Sequence, residues 1–451
     1  MTNNKSSIGE INKGHEKIGV MPWAVAYTLL VGSLILFIAG FFNHHAPLIV
    51  GLFPGIILGM MLEMWNFSDP DVVIKAVAWK DRLLVICFGL VVGLAIFILY
   101  TVNLFGVHLN WGFKDLYPIG IIIGGIFFGI GTAVAGYFPG TVWIAIGQGR
   151  REAWWALTGG LLGAFLWSLI YGPLKGILID TANYGPISIA LLIANNDPFK
   201  AWVVAVIFAA IFIAIWFFVP RFPGGKKGCG YHLLGKTDTD EQLRSPWTEE
   251  YMERYPNMRK WVMPVAETST VEASRVVFIL ALSFAITTSA VIMLRQIFGE
   301  STTYSWLGSL FVYAFWPDKL ANFPYMANLL PIHNGTLDLF GKIGWEPISD
   351  IGTFLGGFIS SVFITKRWMG FKKDIPPVWK KRFGDNQSKR NWGVFWGAFM
   401  VLFGARMAGG CASGHILSGS SQLAASGLLF AVTVLITAFI TAHALYGKAL
   451  D

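Results

Sequence analysis

Residues 404–419, GARMAGGCASGHILSG, interrupt a chain that is otherwise dominated by long apolar runs, and their reading decides the fold. They lie inside a broken apolar stretch, 391–424, which is followed by a run at 425–447 long enough to cross a bilayer. An arginine, paired glycines, a cysteine, serines and a histidine break a helix here. Unpaired backbone groups at membrane depth are tolerated only where protein covers them or they line a wet cavity. The break is therefore expected to be an interior feature.

Outward from this stretch, further spanning runs occur at 22–42, 83–105, 153–174, 199–219 and 274–296, with shorter or interrupted ones at 46–64, 117–149 and 347–365. The expected fold is an all-α polytopic membrane protein with about nine to ten transmembrane segments plus short re-entrant half-helices. Composition agrees: 55% of the residues are hydrophobic and only 13% charged, which excludes an ordinary soluble domain. The first apolar run is too long for a signal-peptide core and has no small-residue cleavage site behind it, so it reads as the first span. Three cysteines far apart in sequence suggest neither a disulfide framework nor a zinc site.

The formal charge of +8 sits between the apolar runs, which argues for membrane topology and against nucleic acid. If the runs alternate in direction, the N-terminal tail, 65–82, the turn at Arg150 and Arg151, 220–272 and 366–390 share one face and hold most of the basic residues. The positive-inside rule makes that face cytoplasmic, puts both termini there and implies the inner (plasma) membrane. Arg150 and Arg151 then read as positive-inside anchors. The chain divides into a tail (1–21), a first membrane half (22–219), a cytoplasmic linker loop (220–272) and a second membrane half (273–451). The linker is either a small aromatic-packed cap, with Cys229 as an exposed thiol, or a solvated connection.

A second interrupted run resembles the first. GTAVAGYFPGTVWIAIG at 131–147 lies over 404–419, so that Ala135 and Gly136 face Ala408 and Gly409, Phe138 faces Cys411, and Gly140 faces Gly414. The two run in opposite directions, the signature of an inverted repeat whose broken helices meet at a binding site. The alternative is that two glycine-rich membrane helices simply look alike.

The residue types of the break suit an anion. The amides around Gly410 and a half-helix starting near Ala412 offer backbone N–H groups and a positive dipole end, and Arg406 adds a cation. Cys411 is a soft, weak donor suited to a substrate bearing sulfur or selenium, an activated thiolate, or a small residue at a helix crossing. His415 either donates to substrate or Cys411, or is a hydrogen-bonded structural histidine. Ser413 is a further candidate donor, or bonds its own backbone. In the first half Gly140 and Thr141 keep the break while Phe138 replaces the cysteine. Glu63, near the end of 46–64, reads as a gate or ion-pair residue, or as a carboxylate reaching to interfacial water. No nucleotide loop, metal-ligand spacing or nucleophile with base and orienting acid is found, so no cofactor, metal or enzymatic activity is expected.

GARMAGGCASGH at 404–415, LGMMLEMWNFS at 58–68, the glycine-rich 129–163 and GTFLGGFISSVFITKRW at 352–368 together resemble the YeeE/YedE family of thiosulfate-transporter-like membrane proteins with a sulphur-transport domain. The resemblance implies an hourglass-shaped inverted repeat in which thiosulfate passes along cysteine thiols and is handed to a small cytoplasmic sulfur-carrier protein. Cys411 matches the second-half thiol. Ser68 and Phe138 stand where the other two thiols are expected, leaving one relay thiol. The expected function is inner-membrane uptake of a small sulfur-containing anion through a central pore lined by Cys411, with substrate-binding residues Cys411, Arg406, Gly410, Ser413, His415, Phe138, Gly140, Thr141, Ser68 and Glu63. A non-transporting subunit that docks a sulfur or selenium carrier, and a small-anion channel, are the alternatives; membrane lipid is the expected surroundings.

Overall fold

The computed structural model describes residues 19–43, 46–223, 228–233, 246–259, 271–294, 298–333, 336–341 and 343–450. Parts of the tail and of the linker, 1–18, 234–245 and 260–270, lie outside the described residues. The helices in chain order are α1 Val20–Phe42, α2 Leu52–Met64, α3 Pro70–Val77, α4 Leu83–Leu104, α5 Pro118–Ala135, α6 Pro139–Gly147, α7 Ala153–Lys175, α8 Ile189–Ile193 and α9 Pro198–Phe218. They continue as α10 Gly230–Leu233, α11 Thr248–Arg254, α12 Val271–Leu294, α13 Thr302–Phe315, α14 Pro324–Leu329, α15 Glu346–Ile359, α16 Pro377–Phe383, α17 Gln387–Met407 and α18 Ala425–Tyr446. One two-stranded ribbon pairs Ile332 with Leu337.

Among the described residues, eight helices are long and apolar enough to cross a membrane, or nine if the bent pair made by α17 and the π-helical segment Ala412–Gly419 is one span. The chain is a multi-pass membrane protein. Residues 46–64 form only a short apolar helix, so the tenth expected segment is of half length. Outward faces carry Ile35, Ile207, Ile211 and Ile436, all more than half exposed, as lipid-facing surfaces require.

Two helix crossings build the centre, and both depend on glycine. Gly55 and Gly59 of α2 lie against the backbone of Ser349 and Thr353, while Gly352 and Gly356 of α15 lie against Leu52 and Ile56. Gly124 and Gly131 of α5 meet Gly404 and Gly397 of α17 in the same way. Small residues let the backbones approach where lipid gives no hydrophobic drive to pack.

Loops expected on one face do meet there. Asp69, Arg150, Arg254 and Asp374 come from four of those segments and form one ion-pair network: Arg150 Nη2 lies 3.1 Å and Arg254 Nη1 3.1 Å from Asp69 Oδ2, and Arg150 Nη1 lies 3.2 Å from Asp374 Oδ2. Arg150 is thus not an anchor reaching toward headgroups. It is buried, while Arg151 is exposed. Burial opposes ionisation of Asp69, but Arg150 and Arg254 outweigh it and hold the carboxyl well below its usual range.

The described part of the linker is packed rather than solvated. Trp247, Tyr251 and Tyr255 are buried; Lys75 Nζ of α3 sits 4.2 Å from the Trp247 ring centre, and Tyr251 donates to Asp71 at 3.2 Å. Cys229 is buried too, against the expectation of an exposed thiol, and burial pushes it up to about 11.

Candidate functional site

The sequence between α17 and α18 cannot continue as a straight helix. Gly409 takes φ +80°, a left-handed conformation that glycine adopts without strain, and the π-helical segment after Cys411 departs from α17 by 53°. At the matched position between α5 and α6, Gly136 takes φ +75°. There, Pro139 opens α6 and Thr141 closes a reciprocal bond with residue 138, accepting from the Phe138 N–H at 2.9 Å and donating to its carbonyl at 3.1 Å. The run 118–147 is less sharply bent and still passes as one span.

Both interruptions border one cavity of about 410 Å³, whose lining includes Phe138, Gly140, Thr141, Glu300, Cys411 and Ser413. The remaining wall is mostly apolar side chains of α2, α3, α4, α9, α12 and α18, and it also includes Arg82 and Ser420. Five of the ten residues expected at the site therefore converge: Cys411, Ser413, Phe138, Gly140 and Thr141. The Cys411 Sγ lies 3.0 Å from the Ser413 Oγ, and either can donate. Phe138 belongs to a cluster of aromatic rings in the cavity wall. Phe138 meets Phe67 at a tilt (5.9 Å between ring centres), Phe67 meets Phe88 likewise (4.8 Å), and Phe88 meets Phe284 edge-on (5.8 Å).

Arg406 lies just before the break and is 7% exposed. Its Nε donates to Tyr325 Oη at 2.9 Å, and Nη1 to Ser301 Oγ at 2.9 Å and Thr302 Oγ1 at 3.1 Å. All of these acceptors are neutral hydroxyls. Lys114, from the connection between α4 and α5, is half-buried and near enough to Arg406, Glu346 and Cys411 to interact with each; burial first, and Arg406 beyond it, push its ammonium below the ordinary value. Arg406 and Lys114 both lie near the thiol, and the Glu346 carboxylate is close enough to each to offset part of their charge.

His415 is hydrogen-bonded within the break, and its Nδ1 has no partner among the described residues. Its Nε2 is 2.9 Å from the Ala408 carbonyl across the break, and its ring stacks on Phe430 at 4.9 Å between centres. It also packs against Gly410, whose Cα faces the imidazole at a distance that leaves no room for a larger side chain without adjustment. These two residues shape the loop that carries Cys411.

Ser68 and Glu63 lie elsewhere. The Ser68 hydroxyl donates to Gln148 Oε1 at 2.8 Å, and neither residue lines the cavity with Cys411. Glu63 does not reach interfacial water: it is fully buried, 2.8 Å from Arg367 Nη2, and accepts from Ser360 at 2.5 Å and Thr365 at 3.0 Å. The ion-pair alternative holds. Glu300, Lys114 and Tyr325 escape a reading of sequence because each lies in or beside an irregular connection, where no periodicity says which way a residue faces.

A family model described as Sulphur transport matches residues 71–440. A curated relative, the thiosulfate transporter TsuA of Spirochaeta thermophila, is 24% identical over 396 residues, covering 85% of this chain and 94% of its own length.

Proposed function

The chain belongs to the sulphur transport family, a family of transporters rather than enzymes, and from that premise we propose that it carries thiosulfate, or a closely related sulfur or selenium anion, across the inner membrane to the cytoplasm. The observation that carries this reading is Arg406: a buried guanidinium whose hydrogen bonds go to neutral hydroxyls, beside Lys114 and Cys411. A buried cation without a hydrogen-bonded carboxylate is costly and is stabilised when an anion binds.

The anion is drawn in by Lys114 and Arg406, its terminal sulfur meets Cys411 and Ser413, and Phe138 with Phe67 and Phe88 forms the barrier that has to move before release. The face where the basic loops and α11 meet is cytoplasmic, holds both termini and receives the sulfur-carrier protein. The two interruptions are the halves of an inverted repeat. One thiol then suffices, because Ser68 is engaged by Gln148 and Phe138 is a gate.

Uptake of labelled thiosulfate into proteoliposomes tests the reading. Saturable uptake that is lost in Arg406→Ala supports it. Conductance without saturation would favour a channel, and a co-purifying sulfur carrier without flux would favour a docking subunit.

A further inference from the structure

A second group of buried charges lies beside the cavity, and anion binding leaves it unexplained. On α15, Glu346, Asp350 and Thr353 follow at four- and three-residue spacing and share one face. That face packs against the turn at 300–303. Glu346 Oε1 accepts from the Thr302 N–H at 2.6 Å, and Thr353 Oγ1 donates to Glu300 Oε1 at 3.4 Å. Asp350 sits between them on the helix and interacts with both Glu300 and Glu346. It is 1% exposed, and the Thr303 hydroxyl faces its carboxyl.

Glu300 is 4% exposed and touches both interruptions. It bonds the Ser413 hydroxyl, which in turn meets Cys411, and its carboxylate fills the space beside Gly140. Among the described residues no lysine, arginine or histidine forms an ion pair with Glu300 or Asp350. The charged or titratable groups that face the pair are Glu346 from α15, Tyr304 from α13 and Cys411 from the break, with Arg406 and Lys114 beyond Glu346.

We propose that Glu300 and Asp350 together hold a proton that travels with the anion, which makes the carboxylate pair the coupling site of the transporter. Two buried carboxylates near one another without an ion-paired cation do not both ionise, because each repels the other where solvent screens little. A proton satisfies them without a coordination shell. The pair acts on the anion through position: ionised Glu300 puts a negative charge one hydroxyl away from Cys411, whereas protonated Glu300 does not. One O–H bond forms with a proton from water on the outer side and breaks to release it on the inner side, and no electrons are exchanged.

The proposal rests on the transport reading, and one experiment separates the two. Proteoliposomes are assayed for exchange of labelled thiosulfate at equal pH, then for net accumulation under an imposed pH difference, with the membrane potential clamped by potassium and valinomycin. The wild type is expected to exchange, and to accumulate about tenfold per pH unit for each proton carried. Asp350→Asn is expected to exchange and to lose the accumulation, and Asp350→Glu to regain part of it. Exchange with accumulation indifferent to pH, accumulation driven by sodium instead, or an Asp350→Asn protein that still follows the pH difference would overturn the proton site while leaving transport in place. A wild type that does not exchange would end both. As a check that Asp350→Asn has folded, its melting temperature and elution profile are compared with the wild type. An infrared band from a protonated carboxyl, present in the wild type and lost in the variant, is the readout that a structural role alone would not move.

Discussion

The carboxylate of Glu300 occupies the space that a side chain at residue 140 would need. A methyl group on Gly140 would overlap it, and the carboxylate also bonds Ser413 of the opposite interruption. The two broken segments are thus joined through one acidic side chain, and the glycine is required by that close approach rather than by its backbone angles.

Gly140→Ala is therefore expected to destabilise the protein by about 1–3 kcal/mol, the usual cost of overpacking. Shortening the neighbour in Gly140→Ala/Glu300→Ser should recover much of the loss, because contacting sites do not add. Thermal unfolding in detergent of the two single variants and the double variant checks this.

Glu63→Gln removes the counter-charge of Arg367. The guanidinium stays fully buried, and its Nε and Nη1 already lack acceptors among the described residues. Breaking such a pair from one side costs about 3–5 kcal/mol, so this variant should unfold at markedly lower denaturant. Glu63→Leu/Arg367→Met, which removes both charges, should be less damaged than Glu63→Gln alone.

Acid should release the linker. The folded-state values of Asp69 and Asp374 lie below those of the unfolded chain, since Arg150 and Arg254 outweigh the burial that opposes their charge. Their contribution is fully present above the ordinary carboxylate range and is lost as pH falls through the depressed values, so stability rises with pH across that window. Proteolysis within 246–259 should accelerate on acidification in the wild type and already be fast near neutrality in Asp69→Asn.

Cys229 should resist a thiol reagent at pH 8, because burial holds the thiol up to about 11 and away from solvent. Labelling in folded protein at the rate of a free thiol would contradict the packed linker.

Much of this architecture is legible in sequence because apolar run length maps directly onto spans. The break at 404–419 stands out as polar residues where none are otherwise tolerated, and Cys411, Ser413, Phe138, Gly140 and Thr141 are found together as expected. The misplacements share a cause. Ser68, Glu63 and Arg150 are polar residues at helix ends, where sequence cannot say what covers them; here Gln148 engages Ser68, Arg367 engages Glu63, and Asp69 and Asp374 engage Arg150. Glu300 lies in a connection, and its approach to Gly140 and Ser413 depends on how two distant segments cross.

The most direct test of the central claim compares uptake of labelled thiosulfate by proteoliposomes of the wild type and Cys411→Ala, with folding checked by melting temperature. Saturable wild-type uptake that falls about tenfold or more in the folded variant, equivalent to about 1.4 kcal/mol of lost interaction, is the predicted result. Equal uptake by a folded Cys411→Ala would contradict the account, because the thiol would then play no part in passage.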